Sequence, residues 1–544
     1  MRVVEGDTGN LTINGISLSK KQTEIVKHDG NIVVSASAGT GKTRTMVAKI
    51  VYDLEHNRSH KVIAAITFTI KATEEIRERL IVDASQNFIG TNNSFAIEEV
   101  IKPFMKDVYG EDYDYDFDTD YTNSDHFFDT FEEGTELMRN NKTIYSYCNR
   151  RNCSTHNKDC SATNRNFVFE LALDIVKKSK ACRLFLASKY LGLYIDEYQD
   201  CDGEMHSFFI YLNNNIGIQT FIVGDDKQSI YRWRGAKPEL FLSVTENKVF
   251  QHFVLSENHR SSLGIQNYSN LLFSHTAGLY QQTENKSDIF IIHKGIEDWA
   301  SAALSLLDKR LTTVVLRNYK DTCYYRKSNA KNDAGILTEK GLPFVYVPEA
   351  PVEEITTTTA WIYMATARYI LLDNYTEYDF VREVPSEGDM ESKTVNAVKK
   401  RLIRVKDNIG EAEQFKESFT SLLAFFNYPN PDEAHLKKLQ KTVSDPQYAV
   451  SVSEELPLHS SMTLFKSKGL EFEQAIIFFE DYAHQGKITV ENLSNHYVAC
   501  TRAKSKLIIV STKHPDSEAF VRKLTDEVMV NVKLKDLLTV ISKP

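Results

Sequence analysis

Ala36-Ser37-Ala38-Gly39-Thr40-Gly41-Lys42-Thr43 is the stretch that decides how this 544-residue chain folds. The apolar run Ile32-Val33-Val34 leads into it and reads as a buried strand. Beyond it Met46, Val47, Ile50, Val51 and Leu54 recur at helical spacing. Strand, small-residue loop and helix together form the setting of a phosphate-binding loop. Small residues let backbone N–H groups close around phosphate oxygens, and the helix N-terminus directs partial positive charge at them. Lys42 then reaches the β- and γ-phosphates of ATP, and the Thr43 hydroxyl is placed to ligate Mg²⁺. The strict pattern asks for glycine at 36 and meets Ala36; the alternative is a glycine turn with no ligand.

Length and composition frame that reading. A chain of 544 residues exceeds one hydrophobic core and predicts two to four domains. With 42% apolar and 26% charged residues it has the composition of an ordinary globular protein. No stretch reaches the roughly 20 uninterrupted apolar residues of a membrane span. The nearest, Trp361 to Leu372, contains Arg368 and predicts a buried helix. Met1-Arg2-Val3-Val4-Glu5-Gly6-Asp7 lacks the apolar core of a signal peptide, and seven scattered cysteines argue against a disulfide framework. The expected location is the cytoplasm. A net charge of −9 predicts weak non-specific duplex binding, while leaving room for a basic channel inside an acidic exterior.

Further segments carry chemistry. Leu191 to Ile195 is an apolar strand that ends in Asp196-Glu197-Tyr198-Gln199-Asp200. In an open parallel sheet a carboxylate at that end lies beside the phosphate loop. Asp196 is then the Mg²⁺ ligand and Glu197 the acceptor of a proton from the attacking water; a surface acidic turn would leave the strand unexplained. Thr220-Phe221-Ile222-Val223 runs into Gly224-Asp225-Asp226-Lys227-Gln228-Ser229-Ile230-Tyr231-Arg232-Trp233-Arg234. Gln228 is a neutral group able to touch both the γ-phosphate and the water. Tyr231, Trp233 and Arg234 offer stacking planes and a cation for unpaired bases, with plain packing as the other reading.

The order of these segments resembles that of UvrD/Rep-type superfamily 1 DNA helicases, from residue 18 to about 510. Gln22 resembles the glutamine that reads adenine, and Arg44 completes the nucleotide set of Ala36 to Thr43. Thr67-Phe68 and Thr91-Asn92-Asn93 resemble segments that touch single-stranded DNA, so Thr67, Phe68, Thr91 and Asn93 join Tyr231, Trp233 and Arg234 as expected contacts. Leu255-Ser256-Glu257-Asn258-His259-Arg260 resembles the motif whose arginine, Arg260, meets the γ-phosphate. Lys468-Gly469-Leu470-Glu471 matches the segment whose glutamate, Glu471, holds the ribose. Arg502, in Tyr497-Val498-Ala499-Cys500-Thr501-Arg502, matches the arginine finger. The resemblance implies ATP and Mg²⁺ as cofactors and 3′ to 5′ movement along one DNA strand. Departures bear on DNA coupling and base selectivity: His259 stands where relatives place a tyrosine against adenine, Phe465 and Asn93 replace histidines, and Ile70 replaces an asparagine. Lys227 and Arg232 add charge near Trp233.

The implied fold is α/β, with two RecA-like P-loop NTPase lobes each carrying a short, mainly helical insertion. The expected division is 1–95 with 169–258 for the ATP-binding lobe and 96–168 for its insertion. The second lobe is 259–349 with 456–544, and 350–455 is its reduced insertion. There Lys399-Lys400-Arg401, Arg404 and Lys406 offer either phosphate contacts or a solvated helix face. This shortened layout resembles the helicase-like subunits of bacterial Gabija-type anti-phage complexes, which implies a GajA-like partner joining an ATPase domain to a Toprim nuclease. The competing readings are a DNA-end- or nucleotide-sensing NTPase that regulates such a nuclease without processive unwinding, and a stand-alone UvrD-like repair helicase. Two features fall outside the pattern. Cys148, Cys153, His156 and Cys160 offer either a structural zinc site or free thiols. Glu111 to Asp120, acidic with interleaved Tyr and Phe, offers either a solvated loop or a docking surface for a basic partner.

Overall fold

A computed structural model describes residues 3–5, 10–13, 15–80, 86–110, 115–118, 128–145, 147–149, 164–283, 288–318, 329–355, 359–384, 392–529, 532 and 534–542. Two parallel sheets organise them. The first is built from β1 (Ile32–Ala36), β2 (Val62–Thr67), β3 (Phe88–Thr91), β4 (Tyr190–Ile195), β5 (Gln219–Gly224) and β6 (Gln251–Leu255), in the order β6-β1-β5-β4-β2-β3. All six of these strands end at a motif quoted above. Register explains why the motifs meet. Ile195 is aligned with both Ile66 and Ile222, and Ser35 with both Gly224 and Val254. The residues just past Ala36, Ile195 and Gly224 therefore share one C-terminal edge, where ligands of open α/β sheets bind.

The second sheet contains β7 (Ile289–Ile292), β8 (Thr313–Arg317), β9 (Val345–Tyr346), β10 (His459–Thr463), β11 (Phe472–Phe478), β12 (Ala503–Val510) and β13 (Thr539–Ile541), ordered β9-β10-β8-β11-β12-β7-β13. Its central strands are apolar on both faces, as parallel strands covered by helices must be. The fold is thus α/β with a P-loop lobe and a second lobe of the same class.

The two insertions differ in how they are held. Residues 350–452 have a core of their own, with Ile362, Ala365, Phe380, Leu402, Phe419, Leu422 and Leu439 packed together on helices. The helix Ala360–Leu371 is buried along most of its length, as the Trp361 to Leu372 pattern predicts. The first insertion has no separate core among the described residues. Its Ile97, Val100, Met105, Phe128, Met138 and Ile144 continue into the cluster that includes Phe169, Ile175, Ile66 and Leu193 of the lobe. It is also less uniformly helical, because short strands at Asp116–Asp118 and Thr143–Tyr145 pair in it. That pairing bears on the acidic stretch. Tyr115 and Phe117, each partly buried, pack against the lobe core, while residues 111–114, 119 and 120 lie outside the described residues.

Candidate nucleotide and DNA site

Two glycines shape the loop Ala36 to Thr43. Gly39 and Gly41 take φ of +74° and +83°, the left-handed region that side chains disfavour. A Cβ on Gly39 would stand 2.3 Å from Asn258 Oδ1 and 2.7 Å from Arg260 Cβ, so the segment leaving β6 lies directly against the loop. Gly41 caps the helix Lys42–His56, placing Lys42 and Thr43 in its first turn. The Thr43 hydroxyl donates to Asp196 Oδ2 at 3.1 Å, and the Lys42 ammonium lies 3.9 Å from Glu197 Oε1.

Glu197 itself has φ +52°, strained for a residue with a side chain, and its N–H donates to Asp196 Oδ1 at 2.8 Å. Burial, reinforced by the neighbouring Glu197 charge, pushes the Asp196 carboxyl above the usual carboxylate range. Burial also works on Glu197, but Lys42, Lys468 and a hydrogen bond from Gln199 hold it below that range. Two adjacent carboxylates are thereby driven apart, the pattern that separates a base from its neighbour.

Three cations from the second lobe converge on this edge. Lys468 contacts Asp200 and lies 3.6 Å from Glu197 Oε2. Arg260 Nε pairs with Glu471 at 2.6 Å and its Nη1 donates to Thr501 O at 3.4 Å. Arg502 is buried, donating to Val498 O at 3.1 Å and Leu470 O at 3.0 Å. Burial, with Arg260 nearby, pulls its guanidinium down to about 9. Glu471 is thus ion-paired to Arg260 and, at 3.4 Å, to Lys504. Gln22 caps its own helix with Ser19 and donates to Thr40 O at 3.4 Å, while Arg44 donates to Ser17 O. The His259 ring is more than half exposed, and the backbone N–H of His259 donates to Gly39 O at 2.9 Å.

Gln228 sits in a buried net. It donates to Asp225 Oδ2 at 2.8 Å, and Lys227 pairs with Asp225 Oδ1 at 2.5 Å. Lys227 therefore does not add charge to the Trp233 turn, as its position in the sequence suggests; it is buried and paired with Asp225. Burial alone would discharge it, but Asp225, Tyr497 and Asp226 keep its ammonium firmly protonated.

An aromatic platform adjoins this net. Trp233 is half exposed, and Arg234 lies over its ring at 4.6 Å and over Tyr231 at 5.1 Å. Phe465 meets Tyr231 at 5.9 Å and Trp233 edge-on at 6.2 Å between centroids. Phe465, the departure from histidine, is thus part of the platform, and Lys468 lies 4.8 Å over Tyr231. Of the other expected DNA contacts, Phe68 is partly exposed. Thr67, Thr91 and Asn93 are buried, Thr67 bonding Thr69 O and Thr73 and Thr91 capping the helix Asn92–Phe95.

Cys153, His156 and Cys160 lie outside the described residues, as does the side chain of Cys148; among the described residues no cluster with metal-ligating spacing occurs. In the second insertion Lys399 pairs with Glu377 at 2.8 Å and Arg401 covers the Phe425 ring at 4.4 Å, while Lys400, Arg404 and Lys406 are exposed. Among the described residues no helix is long and apolar enough to cross a membrane.

Sequence reasoning alone passed over Gln199, Asp225, Asn258, Lys468 and Tyr497 as site residues, and noted Phe465 only as a departure. All six lie within or beside the quoted motifs. Proximity to a motif was the only signal, since each acts across a gap in sequence that the sheets close.

Comparison with known proteins adds to this geometry. Residues 18–164 and 124–248 match the model of the UvrD/REP helicase N-terminal domain. The chain is 33% identical over 518 residues to the Gabija protein GajB of Bacillus cereus strain VD045, covering 95% of this chain and 99% of that protein. It is 26% identical over 367 residues to a probable DNA helicase II homolog of Mycoplasma capricolum, covering 59% of this chain and 50% of the relative. With the ATP-dependent DNA helicase Rep of Buchnera aphidicola from Schizaphis graminum, identity is 26% over 293 residues, covering 47% of this chain and 44% of Rep.

Proposed function

The chain belongs to the GajB family of UvrD/Rep-type DNA helicases, and from that premise we propose that it hydrolyses ATP on DNA and moves 3′ to 5′ along one strand. The observation that carries this reading is the convergence at Glu197: Lys42 from the phosphate loop at 3.9 Å and Lys468 from the second lobe at 3.6 Å. Phosphoryl transfer needs charge neutralised from several sides, and this site gathers cations from both lobes.

Each group has a role in that proposal. Lys42 and the loop N–H groups hold the phosphates, Glu197 accepts the proton of the attacking water, and Gln228 orients it. Arg260 and Arg502 bring positive charge to the γ-phosphate when the lobes close. The Thr43 hydroxyl and Asp196 carboxylate form an oxygen donor pair that fits Mg²⁺. When bound, that ion neutralises phosphate charge, and its own charge favours the ionised form of Asp196. Closure and release of the lobes, coupled to base stacking on Trp233, drives stepping.

By kinship with GajB, the partner is a GajA-like ATPase/Toprim nuclease that the chain activates or feeds within an anti-phage hetero-oligomer. One observation favours the second reading, an NTPase sensor without processive unwinding. The second insertion packs back onto the first lobe, with Arg77 4.4 Å over the Trp361 ring and Arg368 3.9 Å from Glu74. Steady-state ATP hydrolysis with and without single-stranded DNA, using Glu197→Gln as the blank, tests the main reading. Strong stimulation by DNA that disappears in Glu197→Gln supports the motor. Hydrolysis indifferent to DNA favours the sensor, and absence of hydrolysis with and without a nuclease partner refutes both.

A further inference from the structure

Tyr497 is a fully buried side chain that joins the two lobes through a polar atom and has no place in the mechanism above. Its ring is packed against Phe273 at 5.8 Å, and Lys227 lies 5.5 Å over it. Packing alone explains a ring at this position, but not a hydroxyl. The hydroxyl oxygen accepts the backbone N–H of Ala38, in the phosphate loop, at 3.1 Å, and its proton is donated to Asp225 Oδ2 at 3.2 Å. Asp225 Oδ2 is the same atom that receives the Gln228 amide at 2.8 Å.

The net continues to the base. The Asp225 N–H donates to Gln199 Oε1 at 2.9 Å, and Gln199 Nε2 donates to Glu197 Oε2. A single run of hydrogen bonds therefore joins the phosphate loop, the sensor glutamine and the catalytic glutamate, and its one second-lobe member is Tyr497. Asp225, Gln228, Gln199 and Tyr497 are all buried, so each loss leaves an unsatisfied polar group that water does not reach.

Tyr497 also shares an element with the arginine finger. It lies on the helix Val490–Cys500, Thr501 N–H donates to Tyr497 O at 3.0 Å, and Arg502 Nε donates to Val498 O at 3.1 Å. A rigid shift of this helix moves Arg502 and the Tyr497 hydroxyl together. Hydrogen bonds at 3.1 and 3.2 Å are already at the long end of their range, so a displacement of about 0.5 Å weakens them steeply.

We propose that Tyr497 is a positioning residue: its hydroxyl aligns Asp225, and through it Gln228 and Gln199, only when the second-lobe helix has brought Arg502 into place. The proposal rests on the ATP-hydrolysis reading and deepens it, by making the arrival of the finger and the alignment of the sensor one event.

The test is Tyr497→Phe in the full-length chain, which keeps the ring and removes the hydroxyl. DNA-stimulated kcat should fall about 10- to 100-fold with KM for ATP changed less than about threefold, because alignment and not binding is lost. In a Gln228→Ala background the same substitution should cost less than about twofold, since residues acting as a unit are not additive. Asp225→Asn, which preserves shape but also weakens the buried Lys227 pair, should lower kcat at least as far as Tyr497→Phe. Retention of kcat within about twofold, or losses that multiply across the double variant, would overturn the proposal.

Backbone hydrogen exchange gives a readout independent of turnover. Tyr497→Phe should speed exchange together in residues 36–46 and 224–230. Should the wild-type chain not hydrolyse ATP, the functional reading fails by itself, and exchange still decides this one. Faster exchange confined to residues 490–500 would mean a merely structural tyrosine.

Discussion

Lys468→Met tests whether the second lobe holds the acidic motif of the first. The ammonium contacts Asp200, whose side chain is almost wholly buried, and stands 3.6 Å from Glu197. Burial raises the Asp200 carboxyl to about 6 although Lys468 opposes it. A nearby opposite charge lowers a carboxylate by about 1–3 units, so without Lys468 the Asp200 carboxyl titrates that much higher. At about 1.4 kcal/mol per unit, the variant loses roughly 1–4 kcal/mol once Asp200 is ionised. The sign follows from the raised value. The folded chain holds a proton that the unfolded chain has released, so stability is complete below the unfolded value and is lost as pH rises through the folded one. In the wild type that loss is complete soon above 6; in the variant it continues upward by the added 1–3 units. Melting temperatures of both proteins should therefore nearly coincide in their Asp200 contribution at about pH 5 and diverge at about pH 8. The relieved desolvation of Lys468 offsets part of the loss, equally at both pH values. An identical difference at the two pH values would refute the reasoning.

Three further outcomes are expected. Gly224→Ala places a methyl 2.8 Å from Gln199 Oε1 and 3.1 Å from Phe241 Cε2; overpacking should cost about 1–3 kcal/mol in a melting assay, and hydrolysis should fall further than stability because Gln199 orients Glu197. Trp233→Ala should leave the melting temperature nearly unchanged, since the ring is half exposed, and weaken single-stranded DNA binding by about 1–3 kcal/mol in a fluorescence titration; unchanged affinity would remove the platform from the DNA site. Asp202, buried and near Glu204, is pushed up to about 7, while its carboxylate caps a helix by accepting Met205 N–H at 2.8 Å. Its stability cost is absent below its unfolded value and complete above about 7, so Asp202→Asn should stabilise the chain at about pH 8 by at most roughly 4 kcal/mol and do nothing below about pH 4.

Most of the fold was legible because local signals and long-range order agreed. Ile32-Val33-Val34, Leu191 to Ile195 and Thr220 to Val223 are continuous apolar runs, and each ends in a polar motif, as strands of a covered parallel sheet do. The helical pattern of residues 350–452 was legible because their own apolar positions pack together. The first was not, since Phe128, Met138 and Ile144 are satisfied by residues of the lobe and carry no mark of it in sequence. Lys227 misled for a related reason: a lysine beside exposed aromatics reads as a surface charge until Asp225 is seen to bury it.

The sequence by itself determined which residues are candidates for the site: a loop of phosphate-binding pattern, a carboxylate pair after a strand, a glutamine, two arginines and an aromatic turn, in one order along the chain. These depend on residue type and local spacing, which a linear string preserves. Only the tertiary structure decided which of them touch. Tyr497 reaches Ala38 and Asp225 across 459 and 272 residues, and Lys468 reaches Asp200 across 268. Such pairs are set by strand order and register, β5 and β4 lying side by side next to β1. They are also set by how far the two lobes close, and neither property leaves a periodicity in the chain.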